Sequence, residues 1–323
     1  MPLLARPTAV CALVAAGVMA GCLDDRLTTE ERPPLPSSSA SVLEDGGGGV
    51  GDAGADRAAS GRCSPTAPFG APRRVVELSD PIRNEWVFRR LADEQHALLA
   101  RQDNEGSRIL SFALRADGFW SGPLPVEGPW GTFVGDPFVT SIDGKERLLF
   151  TEQVSGLSTM HLVDWDAAKS AATGTAETIF TTTFNDVSPT FVSSSNELWF
   201  MRDPGTGAFR LHRSVRAAGG FGTPELDPVL SSSDFEANGA AAFSPDGLTV
   251  FFGGRAIGSP SDIDIYSARR RDFGAPFENV ALEAELSSGA FDQPLSLSAD
   301  GCNLYLSSGR QGSIDVYFAE RGK

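Results

Sequence analysis

AAFSPDGLTVFFGGR, residues 241–255, sets a Pro-Asp-Gly turn directly before a run of β-branched and aromatic residues. Pro245 fixes φ near the value needed at the second turn position, Asp246 tolerates the third, and Gly247 accepts a positive φ without steric cost. Residues 248–252 then read as a short, largely buried strand ending at Gly253-Gly254. After a loop rich in Gly, Ser and Pro, residues 262–267 (DIDIYS) alternate polar and apolar, the pattern of a strand with one buried face. The unit is strand, tight turn, strand, loop, strand.

The unit recurs as QPLSLSADGCNLYLSSGRQGSIDVYFAER, residues 293–321. Asp246, Gly247, Arg255, Asp264 and Tyr266 map onto Asp300, Gly301, Arg310, Asp315 and Tyr317, at offsets of 51 to 55 residues. A second marker repeats as PFGAP (68–72), GFGTP (220–224) and DFGAP (272–276), each followed by a strand-like run ending in Leu: VVEL, DPVL and NVAL. Weaker copies of the core lie at 136–152, 188–203 and 85–102. Five copies of a fifty-residue unit built of short strands and turns predict an all-β fold, a β-propeller with one four-stranded blade per copy. Stacked blades bury the faces that a single blade leaves open, and closing the ring protects the sheet edges.

The S-[PA]-D-G turn, the apolar strand, the arginine and the closing [ID]-[IV]-Y resemble the WD40-like β-propeller repeat family of the TolB type. The match is close over 221–321 and loose over 69–220. The resemblance implies a propeller fold and a binding role, with no shared catalytic residues. Residues 73–78 form an unclaimed outer strand at the start of the region, and the last copy ends on its third strand. The first can therefore complete the last blade. This arithmetic gives five blades; one more hidden within 103–186 would make six.

Four cysteines occur, Cys11, Cys22, Cys63 and Cys302. Cys11 lies in an apolar stretch, residues 9–20, that follows Arg6 and is short for a transmembrane helix. It ends in Val18-Met19-Ala20-Gly21-Cys22, which resembles a bacterial lipobox and implies a signal peptide over 1–21 with lipid on Cys22. An ordinary secretory signal and an uncleaved anchor are the alternatives. In an exported chain Cys63 and Cys302 then remain in an oxidising compartment. In an up-down blade the start of the fourth strand and the first turn fall on one side, so a Cys63–Cys302 disulfide would clamp the ends of the ring; the alternative is two unpaired thiols. Residues 22–62, with PPLPSSSAS and GGGGVGDAGAD, carry too little apolar surface to offset chain entropy and read as a disordered tether. The propeller occupies 63–323.

The formal net charge is −15, and no basic stripe interleaved with aromatics is present. Nucleic acid, which is bound by neutralising phosphates, is therefore not an expected partner. His96, His161 and His212 lack ligand-like spacing, so neither a metal nor another cofactor is expected. G-x-S-x-G, P-loop and H-E-x-x-H motifs are missing.

An acid stands near the start of each expected innermost strand: Glu85, Asp136, Asp186, Glu236 and Asp292. Those starts cluster at one mouth of a propeller channel. The five could form a ligand site for a cation or a cationic or sugar-like molecule, or they could cap turns and hold neighbouring loops. GDPFVTSIDGKERLLFTE, residues 135–152, is similar to the Asp-Pro-Phe segment of five-bladed furanosidase-type glycoside hydrolases. That likeness would make Asp136, Asp186 and Glu236 candidates for an acid/base pair. The reading is a monomeric, lipid-anchored, non-catalytic propeller of the bacterial cell envelope, binding or scaffolding a protein. Envelope-glycan binding and furanoside hydrolysis are the alternatives.

Overall fold

A computed structural model describes residues 63–322 apart from 65, 81–82, 104–105 and 260–261. The proposed signal peptide, Cys22 and the whole of the proposed tether lie outside the described residues. Five antiparallel sheets follow one another along the chain, each strand pairing with the next, as in a five-bladed β-propeller. The innermost strands are Asn84–Arg90, Val134–Ile142, Asn185–Val192, Phe235–Phe243 and Asp292–Leu297, of blades 1 to 5 respectively. The region 103–186 is filled by the rest of blade 1 and by blade 2, which fixes the count at five.

The two strongest sequence copies share one turn chemistry. Ser244 O accepts from Gly247 N at 2.7 Å, and Ser298 O from Gly301 N at 2.8 Å. Asp246 and Asp300 each accept from the backbone N–H two residues on, at 3.0 Å. Ser244 and Ser298 each accept from the N–H five residues on, at 2.9 Å. Gly247 (φ 68°) and Gly301 (φ 72°) sit in the left-handed region that the turn requires.

Each pair of neighbouring blades encloses a hydrophobic cluster. Blades 1 and 5, for example, bring together Phe88, Leu99 and Phe112 with Leu295, Tyr305 and Phe318. The remaining neighbours pack similarly, blade 1 on 2, 2 on 3, 3 on 4 and 4 on 5. The core is thus a ring of sheet-to-sheet interfaces rather than one central mass.

The N-terminal segment completes blade 5, with Arg73 opposite Phe318 and Arg74 opposite Tyr317. This closing strand is shorter than the sequence suggests: it spans Arg73–Arg74, and Val76–Leu78 forms a 3-10 turn. Residues three apart eclipse in such a turn, and Val75 and Leu78 are both buried in the cluster between blades 1 and 5. The DPVL run behaves alike. Blade 3 takes its outer pairing from Gly220–Phe221 and Glu225–Leu226, while Asp227 caps a turn that buries Leu230. Only the third run, NVAL, lies within an outer strand, Glu278–Leu282. Cys63 and Cys302 are disulfide-bonded, with Cα atoms 5.7 Å apart and a sequence separation of 239.

Candidate functional site

The five strand-start acids divide into two kinds. Glu85 accepts from Arg101 Nε at 2.8 Å, Asp186 from Arg202 Nε and Nη2 at 2.6 and 2.8 Å, and Asp292 from Arg310 Nη2 at 2.8 Å. Glu236 pairs with Arg255 at 3.0 Å. In all four blades the arginine comes from the adjacent second strand, so the pair staples the blade to itself. Glu85, Asp186 and Asp292 are buried, and Glu236 is exposed. Burial pushes the Glu85 carboxyl up to about 7, against the opposing pull of Arg101.

Asp136 has no arginine within ion-pairing distance among the described residues. Thr151 of the second strand donates to its Oδ2 at 2.8 Å, and Ser188 of blade 3 donates to its Oδ1 at 3.2 Å. Every innermost strand carries a register shift near this level. Within those of blades 2 and 3, Asp136 (φ 50°) and Ser188 (φ 54°) are left-handed. Non-glycine residues held in that region store strain of about 1–3 kcal/mol, which tends to gather at functional positions. At these positions the two side chains meet across neighbouring blades, while Asp136 also keeps its bond to Thr151 of its own sheet.

Around them lies a small cavity of about 60 Å³, to which Trp86, Gln102, Thr151 and Gln293 contribute. Asp136 is the one carboxylate lining it. Trp86 Nε1 donates to Gln102 Oε1 at 2.8 Å. Gln293 Nε2 donates to Trp86 O at 3.3 Å, and its Oε1 accepts from Ala240 N at 3.2 Å. Gln293 therefore ties blades 4, 5 and 1 together at the mouth. The lining offers one carboxylate, four hydroxyls, three amides, an indole and the guanidinium of Arg101, which Glu85 holds.

Glycosidic cleavage uses two carboxyl groups about 5–10 Å apart on either side of the bond. Asp186 and Glu236 do not line this cavity, and each is held by its own arginine.

Sequence reasoning did not single out Trp86, Thr151, Ser188 or Gln293. A signal for two of them existed: Asp136-Pro137, Ser188-Pro189 and Gln293-Pro294 are X-Pro pairs in three innermost strands. A second signal separates the acids. Arginine follows Glu85, Asp186, Glu236 and Asp292 by 16 to 19 residues, whereas the residue 16 after Asp136 is Glu152.

No protein-family model matches the chain, and no curated protein does. Among solved structures, the endo-arabinase of Bacteroides thetaiotaomicron is similar at 14% identity and TM-score 0.56, over 78% of this chain and 96% of that one. The catalytic domain of the Coprinopsis cinerea GH62 α-L-arabinofuranosidase is similar at 11% identity and TM-score 0.55, over 80% of this chain and 98% of that one. TolB from Acinetobacter baumannii matches at 15% identity and TM-score 0.46 over 80% of this chain, which spans 56% of the TolB length. At these identities the first two likenesses speak to the fold: a β-propeller.

Proposed function

We propose that the protein is an exported propeller that binds an envelope protein at the Asp136 mouth and does not turn it over. The observation that carries this reading is the division of the acids. Four are paired with arginines of their own blades, and Asp136 alone of the five lines the cavity at the mouth. A cavity of about 60 Å³ is too small to enclose a sugar chain and suits a side chain inserted from a partner surface. A cationic side chain is the natural complement of Asp136. The Cys63–Cys302 disulfide supports an oxidising compartment, in keeping with export and with lipid on Cys22.

A second reading, envelope-glycan binding, draws on Trp86 beside the Gln102 and Gln293 amides. The likeness to an endo-arabinase and an arabinofuranosidase keeps furanoside hydrolysis as the enzymatic alternative.

In-cell crosslinking of the full chain, with mass spectrometry of the captured material, tests the proposal. One reproducible envelope protein captured by the wild type, and reduced tenfold or so by Asp136→Asn, is expected, a loss of ~1.4 kcal/mol. Capture unaffected by Asp136→Asn would remove the mouth from the reading. Release of sugar from arabinan by the wild type, abolished by Asp136→Asn, would replace binding with hydrolysis.

A further inference from the structure

The channel has a second end, and its chemistry is opposite in sign. Three described arginines are buried: Arg89, Arg202 and Arg270. Arg202 is held by Asp186, and Arg270 by Glu197 with contacts of 3.1 and 2.6 Å. Arg89, on the innermost strand of blade 1, has no carboxylate within ion-pairing distance among the described residues. It is 3% exposed. Its only side-chain hydrogen bond among the described residues runs from Nη2 to Thr190 Oγ1 of blade 3, at 3.1 Å. Its Nε is buried without a partner. The guanidinium carbon lies 5.5 Å from the centre of the Phe138 ring of blade 2.

These residues lie further along the innermost strands than Trp86, Asp136 and Ser188, hence at the opposite end of the channel. There they line a cavity of about 280 Å³, to which all five innermost strands contribute. Its rim carries the hydroxyl residues Ser193, Ser194 and Ser296. The one acid on the rim, Glu94, is already engaged: Arg90 pairs with its Oε2 at 2.6 Å, and Ala299 N donates to its Oε1 at 2.8 Å. Thr190 cannot supply the missing charge, because its hydroxyl donates to Ala241 O at 3.0 Å while accepting from Arg89.

A buried cation lacking a counter-charge is destabilising, and proteins retain one where an anion arrives to complete it. Desolvation brings the Arg89 pKa down to about 10, opposed by the field of Asp136, so the group stays charged at neutral pH and lacks its complement. Guanidinium is the side chain best matched to planar or tetrahedral oxyanions.

We infer that the cavity at the Arg89 end of the channel binds a small oxyanion, a carboxylate or a phosphate, seated on the Arg89 guanidinium beneath a rim of serine hydroxyls. The cavity shares no lining residue with the one at the Asp136 mouth, and the Asp136 carboxylate reaches Arg89 through its field alone.

The test is calorimetric titration of the disulfide-intact full chain with sodium phosphate and, separately, with sodium acetate. Sodium chloride at matched ionic strength serves as control, and Tm is followed in parallel. Saturable binding of at least one oxyanion, with a rise in Tm over the chloride control, is expected; which of the two binds identifies the oxyanion class. Arg89→Met is expected to weaken that binding about tenfold or more. In anion-free buffer its Tm should equal or exceed that of the wild type, since a buried unpaired charge has been removed. Arg89→Lys keeps the charge without the fork and should bind at an intermediate level. The inference is overturned if the wild type binds neither anion, or if Arg89→Met binds as the wild type does. A marked drop in Tm for Arg89→Met without anion would also overturn it, making Arg89 a strut between blades 1 and 3.

Discussion

Asp292 of blade 5 and Asp136 of blade 2 both stand near the start of an innermost strand, yet they do different work. Asp292 is fully buried and holds Arg310 of its own blade, while Ser288 donates to it from both N and Oγ at 2.6 Å. Asp136 finds Thr151 where blade 5 provides an arginine, and its remaining oxygen reaches across to Ser188 of the next blade. The residue on the adjacent second strand decides which acid becomes a staple and which faces the channel. Position along the repeat does not.

The largest expected effect breaks the staple. Asp292→Ala leaves Arg310 without its carboxylate, and losing one partner of a buried pair typically removes about 3–5 kcal/mol. Asp136→Ala deletes hydrogen bonds to two hydroxyls and should remove about 1 kcal/mol. Urea denaturation of the two variants compares them directly, and equal losses would erase the distinction between blades.

An intermediate effect comes from pH. With its folded pKa raised to about 7 by burial, Glu85 holds a proton over a range where the unfolded chain has lost it. Its contribution to stability is therefore fully present below the ordinary carboxylate range and declines as pH rises through about 7. Glu85→Gln should flatten the decline of stability over that window; parallel curves for the two proteins would show that Glu85 is ionised throughout.

The smallest effect converts one blade into the other. Thr151→Arg gives Asp136 the arginine that its counterparts have. Stability should change by about 1 kcal/mol or less, as for a partly exposed pair, while partner capture falls as it does for Asp136→Asn. Retained capture would mean that the free carboxylate is not what the mouth offers.

The fold was largely legible because its markers are local. The Ser-Pro-Asp-Gly and Ser-Ala-Asp-Gly turns depend on residues within five positions of each other, and they form the same bonds in both blades. Ring closure and the Cys63–Cys302 bond followed from strand counting. The extent of the closing strand did not, because VVEL looks extended until the interface between blades 1 and 5 draws Val75 and Leu78 inward. The mouth was half legible: the five acids were found, and their arginines were present at a nearly constant spacing. Arg89 was hidden for a different reason. In EWVFRR it reads as a strand-end charge, and only the geometry of the ring brings it to Thr190, 101 residues away in the chain.

The disulfide also fixes the end of the ring at which the described chain enters. Cys302 follows the turn between the first two strands of blade 5, at the Arg89 end of the channel, and Cys63 is covalently bound there. The described chain therefore enters the ring at that end. The two cavities therefore differ in their distance from the point of chain entry: the Arg89 cavity opens on the same side as Cys63, and the Asp136 mouth on the other.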